Sequence, residues 1–260
     1  MNPSVKIVIP VYRPFTAQEE WSVNRAVSLL NRYPICVVIP SDLDRVYFET
    51  RIPGATVIPV SSEWLGPKNG IHGYNRMMMS ESFYDLFADT DYILIYHPDA
   101  WIFRDELDRW CRTGYDCIAA PWIRRRVYDY PFVRLYSGFV QFMARLRRKP
   151  TRRQLYGKVG NGGLSLRRVK AFREACVRYR ATIEEYLRQR DHLHNEDVFW
   201  ATVPQEFRYP TQEEALRFAY DTHPRYCYKM MGKTLPFGCH GWTKPRYNKF
   251  WKRFIPSGED

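Results

Sequence analysis

Four short runs dominated by strand-forming apolar residues constrain the fold most: Val5 to Val11 (VKIVIPV), Ile35 to Pro40 (ICVVIP), Ala55 to Val60 and Tyr92 to Tyr96 (YILIY). None alternates apolar with polar residues as a strand with one wet face would, so each reads as a strand covered on both sides. Helix-length amphipathic stretches separate them. After the first strand, Thr16 with Glu19 three residues on makes a capping box, opening a helix that runs to about Arg32. Strands alternating with helices in this way predict right-handed βαβ units and an α/β fold with a mainly parallel central sheet. A length of 260 residues fits one domain, covering 1–260.

The later elements are read similarly. Gly70 to Ala88 is expected as one helix whose first turns carry His72, Tyr74, Asn75 and Arg76, residues that fit either an ordinary polar helix start or ligand contact. A strand is expected over Tyr115 to Ala119 and a long charged helix over Arg168 to Arg190. Between strand and helix, Lys158 to Leu166 (KVGNGGLSL) puts Asn161, Gly162 and Gly163 at a tight turn, open to a close ligand or simply structural.

Charge narrows the partners. Forty basic against twenty-eight acidic residues give +12, which suits an anionic partner. The excess is local: from Arg124 to Arg153 ten Lys or Arg face Asp129 alone, a net of +9. Within that segment Phe132, Leu135, Tyr136, Phe139, Phe142, Met143 and Leu146 recur at helical spacing. The pattern fits a helix lying on anionic lipid, or equally a core helix with solvated ends. Nucleic acid is not expected, because no nucleic-acid-binding module surrounds the basic run.

Six cysteines without CxxC spacing point to free thiols in a reducing compartment. With no leader-like amino terminus and no bilayer-spanning run, the expectation is a cytoplasmic protein, soluble or peripheral on the inner face of the membrane. The absence of GxGxxG after the first strand, and of GxxxxGK[ST] anywhere, argues against a dinucleotide oxidoreductase or a P-loop enzyme.

Three stretches carry chemistry. The strand Tyr92 to Tyr96 ends in His97-Pro98-Asp99, and a carboxylate at a strand's carboxyl end faces the ligand crevice of an open α/β sheet, although Asp is also common in solvated turns. In HNEDVFW, Asn195 caps a helix whose first turn presents Glu196 and Asp197, a placement favoured electrostatically with or without catalysis. In LPFGCHGW, His240 stands between glycines and aromatic residues, as a structural histidine or a metal ligand.

Together YILIYHPDAWIFRDEL, GYDCIAAPW, VGNGGLSLR, HNEDVFW and LPFGCHGW, in this order and spacing, resemble bacterial glycosyltransferase-like proteins of GT-A type fold, a group long described as a domain of unknown function. The resemblance covers nearly the whole chain except the basic insertion at about 124–153, where the family is shorter. It implies a nucleotide-sugar donor, a UDP- or GDP-sugar, at the carboxyl edge of the sheet near Pro10 and Pro40, with Tyr12, Tyr74 and Asn75 as contacts. It also implies a divalent cation, Mn2+ or Mg2+, held by a DxD-type motif. Here His97-Pro98-Asp99 stands in that place, so Asp99 is the expected ligand, His97 replaces the first carboxylate, and His240 matches the late histidine that completes such sites. A mixed oxygen and imidazole set suits manganese better than calcium. Asp197 is implied as the catalytic base and Glu196 as an acceptor contact or supporting group, the reverse assignment remaining open. Asn161, Gly162 and Gly163 resemble a sugar-pocket loop, with Trp200 and Trp242 as stacking platforms. The expected activity is metal-dependent, inverting transfer of a sugar to a glycan or lipid-linked acceptor in polysaccharide or lipopolysaccharide biosynthesis. The alternative is a non-catalytic GT-A-like binder of anionic polymer or nucleic acid, for which the missing first Asp of the metal triplet is the support.

Overall fold

The structure, a computed structural model, describes residues 3–124, 130–146 and 151–256. Of the two basic clusters flanking the insertion's apolar residues, positions 125, 126 and 147–149 lie outside these residues.

The expected parallel strands form as β1 (Val5–Pro10), β2 (Ile35–Pro40), β3 (Thr56–Val60) and β4 (Tyr92–Tyr96). They belong to a six-stranded sheet of order β3-β2-β1-β4-β7-β6, completed by β6 (Cys117–Pro121) and the long β7 (Val159–Arg168). Neighbours among β1 to β4 are parallel, whereas β7 runs antiparallel to both β4 and β6. The sheet is therefore mixed but mostly parallel. Side chains alternate between two cores: Ile7, Ile9, Val37, Ile39, Leu94 and Tyr96 enter one, and Val8, Val38, Ile93 and Ile95 the other. Burial on both faces explains why β1, β2 and β4 show no polar alternation; β3 departs from the expectation, because at the edge of the sheet Thr56 and Pro59 are exposed.

Helix α1 (Ala17–Leu29) starts with the predicted capping box, the Thr16 and Glu19 side chains each accepting from the other's backbone amide. Helix α2 (Arg45–Arg51) follows β2. The helix expected over 70–88 divides into α3 (Gly70–Met78) and α4 (Glu81–Asp85), because Ser80 adopts an extended conformation and caps α4 through the Phe83 amide. Similarly, the long charged helix is two, α7 (Val169–Arg178) and α8 (Arg180–Arg188), divided at Tyr179. The strand expected over 115–119 begins instead at Cys117.

A second sheet, order β5-β9-β8, is built from β5 (Ala100–Ile102), β8 (Ala219–Tyr220) and β9 (Gly238–His240). These strands of two or three residues are too short for any sequence period to reveal. Helix α5 (Leu107–Arg112) follows β5, and α6 (Pro131–Leu146) lies between β6 and β7. Helix α9 (Glu196–Thr202) follows a short 3-10 turn, while α10 (Gln212–Phe218), α11 (Pro224–Met230) and α12 (Pro245–Trp251) close the carboxyl-terminal part. Among the described residues no helix is long and apolar enough to cross a membrane. All six cysteines are buried free thiols.

Candidate active site

β4 sets the position of the site. Its last residue, Tyr96, is fully buried and pairs with Leu164 of β7, so the chain emerges from the sheet at His97. The His97 amide donates to the Gly163 carbonyl (2.9 Å), and the Ala100 amide returns to the His97 carbonyl (2.8 Å), making a tight turn. The Ala100 carbonyl accepts from the indole Nε1 of Trp242 (3.2 Å) and from the Ser22 hydroxyl, with the Tyr96 hydroxyl 3.0 Å away. Asp99 is thereby presented from a turn anchored on three sides.

β9 brings His240 beside this turn, opposite Ala100 in the antiparallel pair. His240 Nε2 lies 3.1 Å from Asp99 Oδ1, and its Nδ1 lies 3.0 Å from Asp221 Oδ1. Asp221 follows β8 and is 5% exposed; its Oδ2 accepts from Asn161 Nδ2 at 2.6 Å, and Lys244 Nζ lies 3.8 Å from Oδ1. Burial alone would lower the His240 pKa, but the two carboxylates raise it to about 9. Burial also opposes ionisation of Asp99, yet the His240 charge overrides it and holds that carboxyl well below the usual range. His97 behaves oppositely: burial and the His240 charge push it down to about 3, so its imidazole is neutral. Its Nε2 sits 2.8 Å from the Tyr74 hydroxyl, and its ring meets the His240 ring edge-on at 5.5 Å.

His97, Asp99 and His240 each offer one ligand atom within 4.8 Å of the others. Ligand atoms around one cation at roughly 2.0–2.2 Å stand about 3–4 Å apart, so the three can converge on a divalent ion with small adjustments. The donor chemistry fits as well. His97 is a neutral imidazole, Asp99 an ionised carboxylate, and the His240 to Asp221 pairing resembles the carboxylate–histidine contacts that orient metal-bound imidazoles.

Across the sheet edge stands the first turn of α9. Glu196 is 3% exposed and its carboxylate meets the guanidinium of the equally buried Arg167 at 3.0 Å. The same guanidinium donates to the Tyr84 hydroxyl and to Ser165 Oγ, both at 3.0 Å. The neighbouring Asp197 is only partly buried, and its Oδ1 accepts from the Val198 amide at 2.8 Å. Burial, then the adjacent Glu196 charge, raises the Asp197 pKa to about 7.

The glycines of β7 fit between these groups. A Cβ on Gly162 would overlap the Glu196 carboxylate, and one on Gly163 the His240 ring. The expected tight turn at 161–163 is therefore corrected: these residues lie in a strand, and glycine is needed for close packing, not for a turn.

Other expected contacts also find different work. Asn75 donates to Asn195 Oδ1 (3.0 Å) and accepts from the Glu196 amide (3.1 Å), so both ends of its side-chain amide are engaged in holding α9. Trp200 is not a sugar platform: it is 1% exposed, packed against Phe172 and Phe207. Nor is Trp242, whose indole is buried edge-on against Trp101 while its N–H supports the Ala100 turn. Pro10 and Pro40 are buried at the ends of β1 and β2, whereas Tyr12, just beyond β1, is 51% exposed at the carboxyl edge with the Arg13 guanidinium 5.5 Å from its ring centre. Sequence reasoning missed Asp221 and Arg167. Neither left a signal: Arg167 is followed by Arg168 at the end of β7 and looks like a solvated strand end, and β8, which places Asp221, is two residues long.

The architecture has counterparts among solved structures. The structure superposes on the galactosyltransferase LgtC in complex with donor and acceptor sugar analogues, with a TM-score of 0.55 and 12% identity over 98% of both chains. An active-site mutant of LgtC gives a TM-score of 0.54 and 14% identity over the same shares. The chain has an α/β GT-A glycosyltransferase fold. Among curated proteins none matches it by sequence. Residues 55–240, from just ahead of β3 to the end of β9, match DUF5672, described as a protein of unknown function; the chain belongs to this family.

Proposed function

We propose that this chain is a metal-dependent glycosyltransferase, acting as one GT-A domain that transfers a sugar from a UDP- or GDP-sugar to a hydroxyl of a glycan or lipid-linked acceptor with inversion. One observation carries the reading: a His-Asp-His cluster able to hold a cation and a carboxylate with a raised pKa meet at the same sheet edge, flanking β7. The similarity in fold to a galactosyltransferase supports sugar transfer in general, while the metal and the inversion rest on the cluster and on Asp197.

When bound, Mn2+ or Mg2+ would supply Lewis-acid stabilisation to the departing diphosphate. Asp99, His240 and His97 would hold it. Asp221, itself gripped by Asn161, keeps His240 facing Asp99. Asp197 takes the acceptor hydroxyl's proton as attack begins, and a pKa near 7 suits a general base at neutral pH. Glu196 is the supporting group: its charge is committed to Arg167, and its proximity makes Asp197 more basic. Tyr12 is the donor-side contact at the carboxyl edge, the buried Tyr74 holds His97 through its hydroxyl, and Gly162 and Gly163 keep the space between the two clusters narrow.

The test is turnover of a panel of UDP- and GDP-sugars with manganese, magnesium or a chelator. Release of nucleotide diphosphate that needs the metal and is lost in Asp99→Ala is expected. No turnover of any donor, with salt-sensitive DNA or RNA binding instead, would favour a non-catalytic binder of anionic polymer.

A further inference from the structure

The insertion between β6 and β7 has no role in the chemistry above. Its helix α6 spans 16 residues, about 24 Å at the usual rise. At 100° per residue, Phe132, Leu135, Tyr136, Phe139, Phe142, Met143 and Leu146 fall on an arc of about 120°, with Arg134 on the opposite side. The expectation of a core helix fails: Phe132 is 87% exposed, Leu135 76%, Tyr136 71% and Phe139 62%, with Phe142 and Leu146 also exposed. A continuous stripe of large apolar side chains facing water marks a binding surface.

We infer that α6 docks on an anionic lipid bilayer, lying in its plane with this stripe inserted. Charge selects the occupant. The segment 124–153 carries a net +9 concentrated on both sides of the stripe, while the stripe contains no charged residue. An anionic bilayer offers both complements, headgroups for the basic flanks and hydrocarbon for the aromatic face. A second copy of the chain would bring +9 against +9, and a nucleic-acid duplex, with its bases already stacked inside, leaves the six exposed apolar side chains in water. The helix is also too short to span, which leaves the in-plane arrangement.

Position gives the docking a consequence. The insertion is rooted at the carboxyl end of β6, where Trp122 and Lys158 close its base through a 3.0 Å amide to carbonyl bond, and Asn161 of the candidate site follows three residues later. Docked, α6 holds the edge carrying the site close to the lipid surface. Resting on the proposed function, this assigns the acceptor to the lipid-linked class.

The test is co-sedimentation of the full chain with phosphatidylcholine vesicles, with and without phosphatidylglycerol, in the absence of any sugar nucleotide, so that its result does not depend on catalysis. Binding to the anionic vesicles at least about tenfold tighter than to neutral ones, and weakened by salt, is expected. The triple variant Phe132→Ser, Phe139→Ser, Phe142→Ser should lose on the order of a hundredfold in binding with an unchanged thermal melt. Because the native cysteines are buried, a Leu135→Cys variant can carry a single polarity-sensitive dye, whose emission should shift to the blue on anionic vesicles alone. Equal binding to neutral vesicles, undiminished binding by the triple variant, or no dye shift would overturn the proposal. So would a wild-type dimer that the triple variant converts to monomer, which would make a second copy the occupant.

Discussion

Two clusters in this molecule set a cationic side chain against carboxylate, and they are built for opposite ends. Arg167 and Glu196 are sealed at 1% and 3% exposure, with Tyr84 and Ser165 taking further guanidinium protons. His240, between Asp99 and Asp221, stands at the sheet edge, with Asp99 27% exposed. In the first, the cation is covalently part of an arginine and cannot leave. In the second the positive charge is one proton on an imidazole, which a metal ion can replace. A sealed ion pair fixes geometry, whereas an open one whose charge is exchangeable can bind.

The comparison is tested hardest at α9, where Asp197 adjoins the sealed pair without belonging to it. Asp197→Asn should keep the fold and lower transfer by about 10²- to 10⁴-fold in a steady-state assay. Since the base must be ionised, wild-type kcat/KM should rise as pH climbs through about 7 and level off above it; that limb should vanish in the variant. A wild-type profile flat between pH 5 and 9 would remove Asp197 from the role. Next in size, Glu196→Gln strands the Arg167 charge in the core, and denaturant unfolding should show a loss of about 3–5 kcal/mol. A loss under 1 kcal/mol would mean the pair is not sealed. At the open cluster, Asp221→Asn should weaken manganese binding by about 10- to 100-fold in calorimetry, with a smaller loss of stability than Glu196→Gln because Asp99 still faces His240. Smallest, Trp242→Phe removes one donor from the Ala100 carbonyl and should cost about 1 kcal/mol in unfolding.

The parts of this architecture carried by long, regular patterns were readable from sequence. The four parallel strands are short runs of strand-forming residues, three of them buried on both faces, and Thr16 with Glu19 announces α1. The HPD and NED stretches were also readable, as a strand end and a helix start bearing titratable side chains, whereas GCH was readable only as a histidine between glycines, not as a strand. What was not readable depends on contacts between distant residues. Gly162 and Gly163 look like a turn until Glu196 and His240 are seen to occupy the space their side chains would fill. Trp200 follows the acidic pair and suggests a sugar platform, but it lies one helical turn beyond the buried Glu196, on the face of α9 that packs into the core. Asp221 sits beside His240 only because β8 pairs with β9 in a sheet too small to leave a period. Ser80, by contrast, gave a local signal inside the 70–88 stretch, an N-cap serine three residues before Phe83.

The central claim, that the open cluster binds a metal to hold a nucleotide sugar, is tested most directly by thermal unfolding of wild type and Asp99→Ala with UDP- and GDP-sugars, with and without manganese. A ligand that binds only the folded state raises the melting temperature. At least one donor should stabilise the wild type only when manganese is present, and Asp99→Ala should abolish the shift. A donor-induced shift that is independent of manganese, or that survives Asp99→Ala, would contradict it.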